Sequence, residues 1–507
     1  MIDDFWNELN EGDIHVRDNL QFELKSEFSI NPQLKRNIYN QEVYFFIPNP
    51  LQVNSKTYSK PQFYLDQTNL IRYKTPSMSL SEIYNLDFPP SPLARIHRLL
   101  KENSLDSTLS VASDELKLFA AIFRSAVRER IYKIVQMLGS THPTDPIQQQ
   151  IDSLCSEISE TTHKFRQIQE NAHKNEHYPQ LIRHFKYVDE FISTTICEFL
   201  VVLLKQYRSL EEQAQSSDKL LTQMIIKETL YRKKHHLGPK TVKGQTLANE
   251  AILHRQGLLH RFVLESLILK HRRYSPEEKH RSLLSAFAAG FAMLIYMIIF
   301  VWQISPLVNN AFPFVTLAVL FYILKDRLKE GFKTLFARHS HRWFPDYSTE
   351  ITSFKGYTVG RLEESSAFIT PEQLPEEFSH IRNYAFHEEL QALPRHETII
   401  QYKRELILTS PSTTSTGRRS EITTIFRFNV HRFLQKASNP FQTNLTLDTY
   451  TQEILERLLP KVYHLNLIIR NTLLQENQEK KIEIKTFRVV IDKNGIKRVE
   501  QTKRVIS

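Results

Sequence analysis

Residues 283–304 read LLSAFAAGFAMLIYMIIFVWQI, and with 307–324 they lie inside a run of 43 residues, 282–324, that contains no Asp, Glu, Lys or Arg. As a helix, the first stretch of 22 residues would be about 33 Å long at ~1.5 Å per residue, which matches a hydrocarbon core of ~30 Å. The second stretch, of 18 residues, reaches only about 27 Å and carries Pro313, which puts it near the lower limit for a span. Between them QISPLVNN (303–310) is a polar, Pro-containing break. A hairpin buried in a water-soluble core would show charges on a solvent face. The expectation is therefore a two-helix transmembrane hairpin, with a re-entrant second segment as its alternative.

The flanks supply an orientation. Residues 227–281 hold 13 Lys and Arg against 5 Asp and Glu, and residues 325–342 hold 6 against 2. The connecting loop has no charge. The positive-inside rule then places both termini on the cytoplasmic side of a multi-pass integral membrane protein, most simply in a bacterial inner membrane. Lys270, Arg272, Arg273, Lys279, Arg281, Lys325, Arg327 and Lys329 are expected to meet the lipid bilayer at its anionic headgroups. That explanation of a sequence pI of 9.2 leaves no need for nucleic acid as a partner. Ser285, Ala286, Ala289 and Gly290 form a small-residue face suited to helix packing, within the hairpin or in a homo-oligomer. The N-terminus, MIDDFWNELNEGD, is acidic and lacks the apolar core of a cleavable signal peptide.

Around that segment the chain of 507 residues is 41% hydrophobic and 24% charged, a composition that folds. Residues 1–92 show strand alternation at Leu20, Phe22 and Leu24, an aromatic run from Glu42 to Pro48, and a Pro-rich linker at 87–92. Residues 93–281 are helical. Leu116, Phe119, Phe123, Val127, Ile131 and Val135 make one stripe, with Ser113 as its N-cap. Ile147, Ile151, Leu154, Ile158, Thr161, Phe165, Ile168 and Ala172 make a short coiled-coil seam. The apolar stretch 191–204 is too short for a span and contains Glu198, so it reads as a buried core helix. A last helix, 246–271, leads into the hairpin at 282–325. Residues 326–507 return to strands, and Asp492-Lys-Asn-Gly495 is a strong β-hairpin signal. The predicted fold class is an α+β membrane protein: a transmembrane hairpin between a cytoplasmic helical bundle and a mainly antiparallel β C-terminal domain. The N-terminal strands are candidates to complete the C-terminal sheet.

Little in the sequence carries chemistry. His173-Lys-Asn-Glu-His177 matches the H-x-x-E-H spacing, in which His173 and His177 would hold zinc and Glu176 would act as general base. Tyr178-Pro179 ends that helix at once, so a solvated helix end is the better reading. Residues 238–246 miss the phosphate-loop spacing, and His387 starts an H-E-x-x sequence that ends in Gln391. Two Cys exclude a disulfide scaffold and a cysteine-only zinc site. No catalytic set and no cofactor is expected. The functional expectation is a membrane-anchored, cytoplasmic-facing scaffold, interaction or sensor protein with a protein partner or a second copy of itself. A membrane-associated enzyme is the alternative, and an oligomeric channel or transporter subunit the second.

Overall fold

The computed structural model describes residues 14–101, 105–139, 144–173, 178–209, 215–238, 246–276, 344–353, 356–384, 396–409, 418–474 and 481–506, with scattered positions between 286 and 331. The chain opens with β1 (Ile14–Asp18), β2 (Gln21–Ser29) and β3 (Arg36–Pro48), followed by α1 (Lys60–Asp66) and β4 (Gln67–Tyr73). Two short helices, α2 (Leu80–Tyr84) and α3 (Pro92–Lys101), precede five long ones: α4 (Leu105–Leu138), α5 (Thr144–His173), α6 (Pro179–Arg208), α7 (Gln215–Lys234) and α8 (Thr246–Leu264). Then come β5 (Lys270–Tyr274), β6 (Tyr347–Thr352), β7 (Thr358–Ile369), α9 (Glu376–Tyr384), β8 (Glu397–Thr409), β9 (Glu421–Asn429) and α10 (His431–Leu434). The chain closes with β10 (Phe441–Leu447), β11 (Ile454–Pro460), β12 (Tyr463–Leu474), β13 (Lys481–Asp492) and β14 (Gly495–Ile506).

Eight strands form one antiparallel sheet in the order β14-β13-β12-β3-β8-β7-β6-β5, and four form another in the order β1-β2-β9-β4. The N-terminal strands hydrogen-bond directly to the C-terminal ones. Val43 of β3 lies opposite Tyr402 of β8 on one side and Ile469 of β12 on the other. β9 is held between β2 and β4. The two sheets face each other through aromatic rings, with Phe45 5.2 Å from Phe428 and 6.3 Å from Phe426 between centroids. α9 covers part of the opposite face of the large sheet, where Phe378 packs on Tyr44 at 4.7 Å. β3 is thus buried on both faces over Val43–Ile47, which is why its apolar residues run together instead of alternating. At the β13–β14 turn only glycine fits: Gly495 has φ +134°, and a Cβ there would lie 2.2 Å from the Asn19 carbonyl oxygen.

The helices pack on one another and against the end of the sandwich. All eight residues of the α5 seam are buried, Thr161 included, whose hydroxyl donates to the Glu157 carbonyl at 2.7 Å. α4 begins well before Ser113, whose hydroxyl instead meets His184 Nδ1 at 2.8 Å. The apolar length of α6 lies inside the bundle, and its Asp189 and Glu190 are buried too. Arg166 of α5 reaches Asp189 at 3.2 Å and Glu228 of α7, and stacks on the Tyr231 ring at 3.5 Å. Burial pushes the Asp189 carboxyl above the usual range, against Arg166 and the Tyr231 hydroxyl, which act to lower it. Helices and sheets are joined by Arg418, which grips Glu115 of α4 through both nitrogens at 2.9 and 2.7 Å.

The transmembrane expectation is overturned. Among the described residues no helix is long and apolar enough to cross a membrane. The reason is that length and apolarity do not coincide. α4, α5 and α6 run to 34, 30 and 30 residues but carry charges along their length, and a span needs both properties in one uninterrupted helix. Most of the expected hairpin, 283–304 and 307–324, lies outside the described residues. The fold class is therefore corrected to α+β with large antiparallel sheets and no shown transmembrane hairpin. The multi-pass, inner-membrane location with both termini on the cytoplasmic side falls with it.

The basic flank has another explanation as well. The last helix stops at Leu264, and Lys270–Tyr274 is an edge strand paired with β6. Cations on an edge strand are a common guard against unwanted pairing. Three of the counted cations, Lys270, Arg272 and Arg273, thus lie on a sheet edge.

Two outcomes follow from these charges. Arg166→Met leaves Asp189 and Glu228 buried without their cation, so the unfolding free energy should drop by roughly 3–5 kcal/mol in urea denaturation. Glu23 of β2 is held by His15 at 3.1 Å and by Arg427 of β9. Burial pushes its carboxyl up, but these two partners outweigh burial and bring it from 4.5 down to about 2. A lowered acid stabilises the fold above its unfolded value and loses that contribution as pH falls from 4.5 toward 2. Between pH 6 and pH 3 the native chain should therefore lose roughly 2 kcal/mol that Glu23→Gln does not lose, read from denaturation curves at both pH values.

Candidate functional site

Beyond the part covered by α9, the outward residues of the large sheet turn polar. Asn40 and Glu42 of β3, Lys403 and Glu405 of β8, and Glu363 and Ser365 of β7 line a cleft of about 270 Å³, with Phe344 and Pro345 at its rim. Strand register sets the neighbours. Glu405 lies opposite Asn40 on one side and Glu363 on the other, and Lys403 lies between Glu42 and Ser365. Glu42 is well satisfied: it accepts from the Tyr44 hydroxyl at 3.0 Å and from Arg470, with Lys403 at 3.6 Å. Glu363 pairs with Arg361 at 2.8 Å. Glu405 makes no ion pair with a described residue. Burial, and then the charge of Glu363 beside it, push its carboxyl above the usual range despite Arg361. Asn40 Oδ1 is buried and accepts no hydrogen bond from a described residue. The cleft thus presents acceptors and negative charge, and suits a small cationic group more than an anion.

Under the floor of this cleft, on the inward face, the apolar alternation of four strands breaks at one level. Asn471 of β12, Gln41 of β3, Arg404 of β8 and Glu364 of β7 stand side by side. Arg404 donates to Gln41 at 2.9 Å, and Gln41 donates to Asn471 at 2.8 Å and to Ser26 of the facing sheet at 2.9 Å. Glu364 accepts from Gln67 at 2.9 Å, from Asn69 at 2.7 Å and from the Tyr402 hydroxyl, and meets Arg273 at 3.3 Å. Burial and the adjacent Glu364 push the Tyr402 hydroxyl well above its usual value. Next to it Asp346 accepts from Lys60 at 3.0 Å, Tyr64 at 2.8 Å and the Ser366 amide at 2.8 Å. The hydrogen bonds of Glu364 and Asp346 tie strands of the two sheets together.

A second feature stands away from the body. β10 and β11 pair only with each other, and every residue of both is exposed except Leu455, which is half-buried. Opposite residues of an antiparallel pair share a face. One face therefore carries Phe441, Leu445, Leu447, Ile454 and Leu458 with Thr443, Glu456 and Pro460. Leu445 is 65% and Ile454 74% exposed, and Tyr450 at the tip 96%. The root is firm: the Ser438 amide donates to the hydroxyl of buried Tyr463 at 3.0 Å, and the Lys461 amide to the Pro440 carbonyl at 2.8 Å.

The residues singled out in the sequence are not brought together. His173 ends α5, while Glu176 and His177 lie outside the described residues. Among the described residues no three His, Cys, Asp or Glu side chains converge as a metal site. Lys270 and Arg272 are exposed on β5, and Arg273 from the same strand turns to Glu364 and stacks on Tyr347 at 3.9 Å. Arg327 is exposed; Lys279, Arg281, Lys325, Lys329 and Ser285 lie outside the described residues. Ala286 and Gly290 are exposed and Ala289 is half-buried. Burial pushes the Cys155 thiol up to about 12 and raises Cys197 as well, so neither is a ready nucleophile. The cleft escaped notice because Glu363 and Glu405 are neighbours only through strand pairing. The arm carries a weak sequence signal, Phe441, Thr443, Leu445 and Leu447 at every second position.

Removing one carboxylate from each face should separate structure from surface. Glu364→Ala strands three donors and Arg273, and should cost roughly 3–5 kcal/mol in thermal or urea unfolding. Glu405→Gln relieves a like-charge contact and should leave stability equal to the native chain or slightly above it. No known protein family, no curated protein and no solved structure matches this chain.

Proposed function

We propose that this chain is an interaction protein, a scaffold whose α+β body holds the β10–β11 arm out as its contact element. The observation that carries this reading is the apolar face of the arm, five large side chains on an element with no cover from the rest of the described chain. A lone two-stranded ribbon is marginal in water. An exposed apolar patch of several hundred Å² on a folded chain generally marks a contact surface. The arm is rooted in the core, so its presentation costs little ordering on binding.

Among the described residues lining the cleft, acceptors and carboxylates predominate over groups that could act as nucleophile, which gives an enzymatic reading less support. A second reading, capture of a cationic side chain or amine in the cleft, is favoured by one feature: Glu405 faces Glu363 without an ion pair of its own among the described residues.

The arm reading is tested with photo-crosslinking residues placed at 445 and at 458 of the full chain in its source cells. One discrete adduct of fixed stoichiometry should form from both positions and vanish in Ile454→Asp, while the unfolding temperature stays within about 2 °C because the residue is exposed. A crosslinker at exposed Ile226 on α7 serves as the control. Equal adducts from all three positions, or none from the arm, would reject it.

A further inference from the structure

We infer that the arm joins a second copy of this chain, β10 against β10 across a two-fold axis, so that two ribbons become one four-stranded sheet. This rests on the reading of the arm as the contact element and names its partner. The two edges of the ribbon are not alike. β11, ILERLLP, carries Glu456, Arg457 and Pro460, the residue types that blunt an edge against further pairing. β10, FQTNLTL, has no charge, no proline and no glycine, and its outer edge pairs with no described strand. A seven-residue strand of that composition is an open template for backbone hydrogen bonds.

Its sequence also complements itself. Antiparallel pairing about Asn444 sets Asn444 opposite its own mate, Phe441 opposite Leu447 of the other copy, Thr443 opposite Leu445, and Gln442 opposite Thr446. Because opposite residues share a face, the apolar face of one ribbon continues across the seam into the other. Phe441 and Leu447 become an aromatic–aliphatic cross-strand pair, the kind that stabilises sheets. No like charges meet. Stacking two ribbons face to face is the poorer solution, since Glu456 sits near the middle of the apolar face, opposite Leu445, and would approach its own mate while losing water. An edge of seven residues with its flanking side chains falls short of the ~1,200–2,000 Å² of standard stable complexes, so the association belongs to the weak, concentration-dependent class.

Sedimentation equilibrium of the full chain over a wide concentration range tests this. The native chain should pass reversibly from monomer to dimer. Asn444→Lys and Asn444→Asp each place like charges at the axis and should weaken the dimer at least tenfold, while an equimolar mixture of the two variants should restore it. Glu456→Arg, one strand away from the seam, should change the dissociation constant less than threefold. A chain that stays monomeric at every concentration overturns the inference, as does a dimer that Asn444→Lys leaves intact. If crosslinks from position 445 capture a different protein while the chain sediments as a monomer, the contact role of the arm stands and self-pairing falls.

Discussion

The polar row Asn471–Gln41–Arg404–Glu364, shut between two sheets, constrains everything around it. Buried charges and amides are tolerated only when each finds its partners, because the surroundings offer no water to replace a lost bond. These four residues come from β12, β3, β8 and β7, and their partners Ser26, Gln67 and Asn69 come from the facing sheet. A slip of one residue in any of the four strands would turn that strand's inward apolar side chains outward and bring the row out of reach of its partners. The row therefore ties strand register to sheet packing. It also divides the interior: Tyr39, Leu362 and Leu406 on one side belong to the core shared with the helices, and Val43, Phe45 and Tyr402 on the other to the aromatic core between the sheets.

The same row holds one flank of the most apolar segment of the chain, through Arg273. The strands that flank this segment in sequence, β5 and β6, are paired neighbours with Tyr274 opposite Ser348. Arg273 on the first flank binds Glu364, and Asp346 on the second is held by Lys60, Tyr64 and Ser366. The two flanks are thus fastened by separate polar contacts, one to the row and one to α1 and β7. The helices are fastened elsewhere, through Arg418 and Arg419 to Glu115 and Asp114 of α4. These two arginines, just before β9, join the layers. Polar contacts of this sort add little net stability beyond what hydrophobic burial supplies, but losing one partner is costly, which makes them good determinants of arrangement.

The proposed contact sites, by contrast, sit where the constraints end. The cleft on the outer face and the β10–β11 arm are both places where the sheet architecture leaves groups without internal partners: acceptors and a raised carboxyl in the first, apolar side chains and an open edge in the second. The arm carries the stronger argument. Solvating five large apolar side chains and a strand edge costs free energy that the fold does not recover within one chain.

Local periodicity was enough to read the α5 seam, the amphipathic stripe of α4, the buried length of α6 and the β13–β14 hairpin at Asp492–Gly495, because each depends on residues a few positions apart. The aromatic run Glu42–Pro48 marked the second half of β3, while the strand itself begins at Arg36. Composition misled where it was asked to stand for geometry. A charge-free run of 43 residues counts side chains, whereas a membrane span also requires one continuous helix, and a basic flank looks the same whether it meets lipid or edges a sheet. Only the folded chain could decide that β3 lies between β8 and β12, that Arg273 serves Glu364, and that Glu405 confronts Glu363. Those outcomes depend on the pairing of strands hundreds of residues apart, and pairing at that distance is chosen by burial summed over the whole interior rather than by any local pattern.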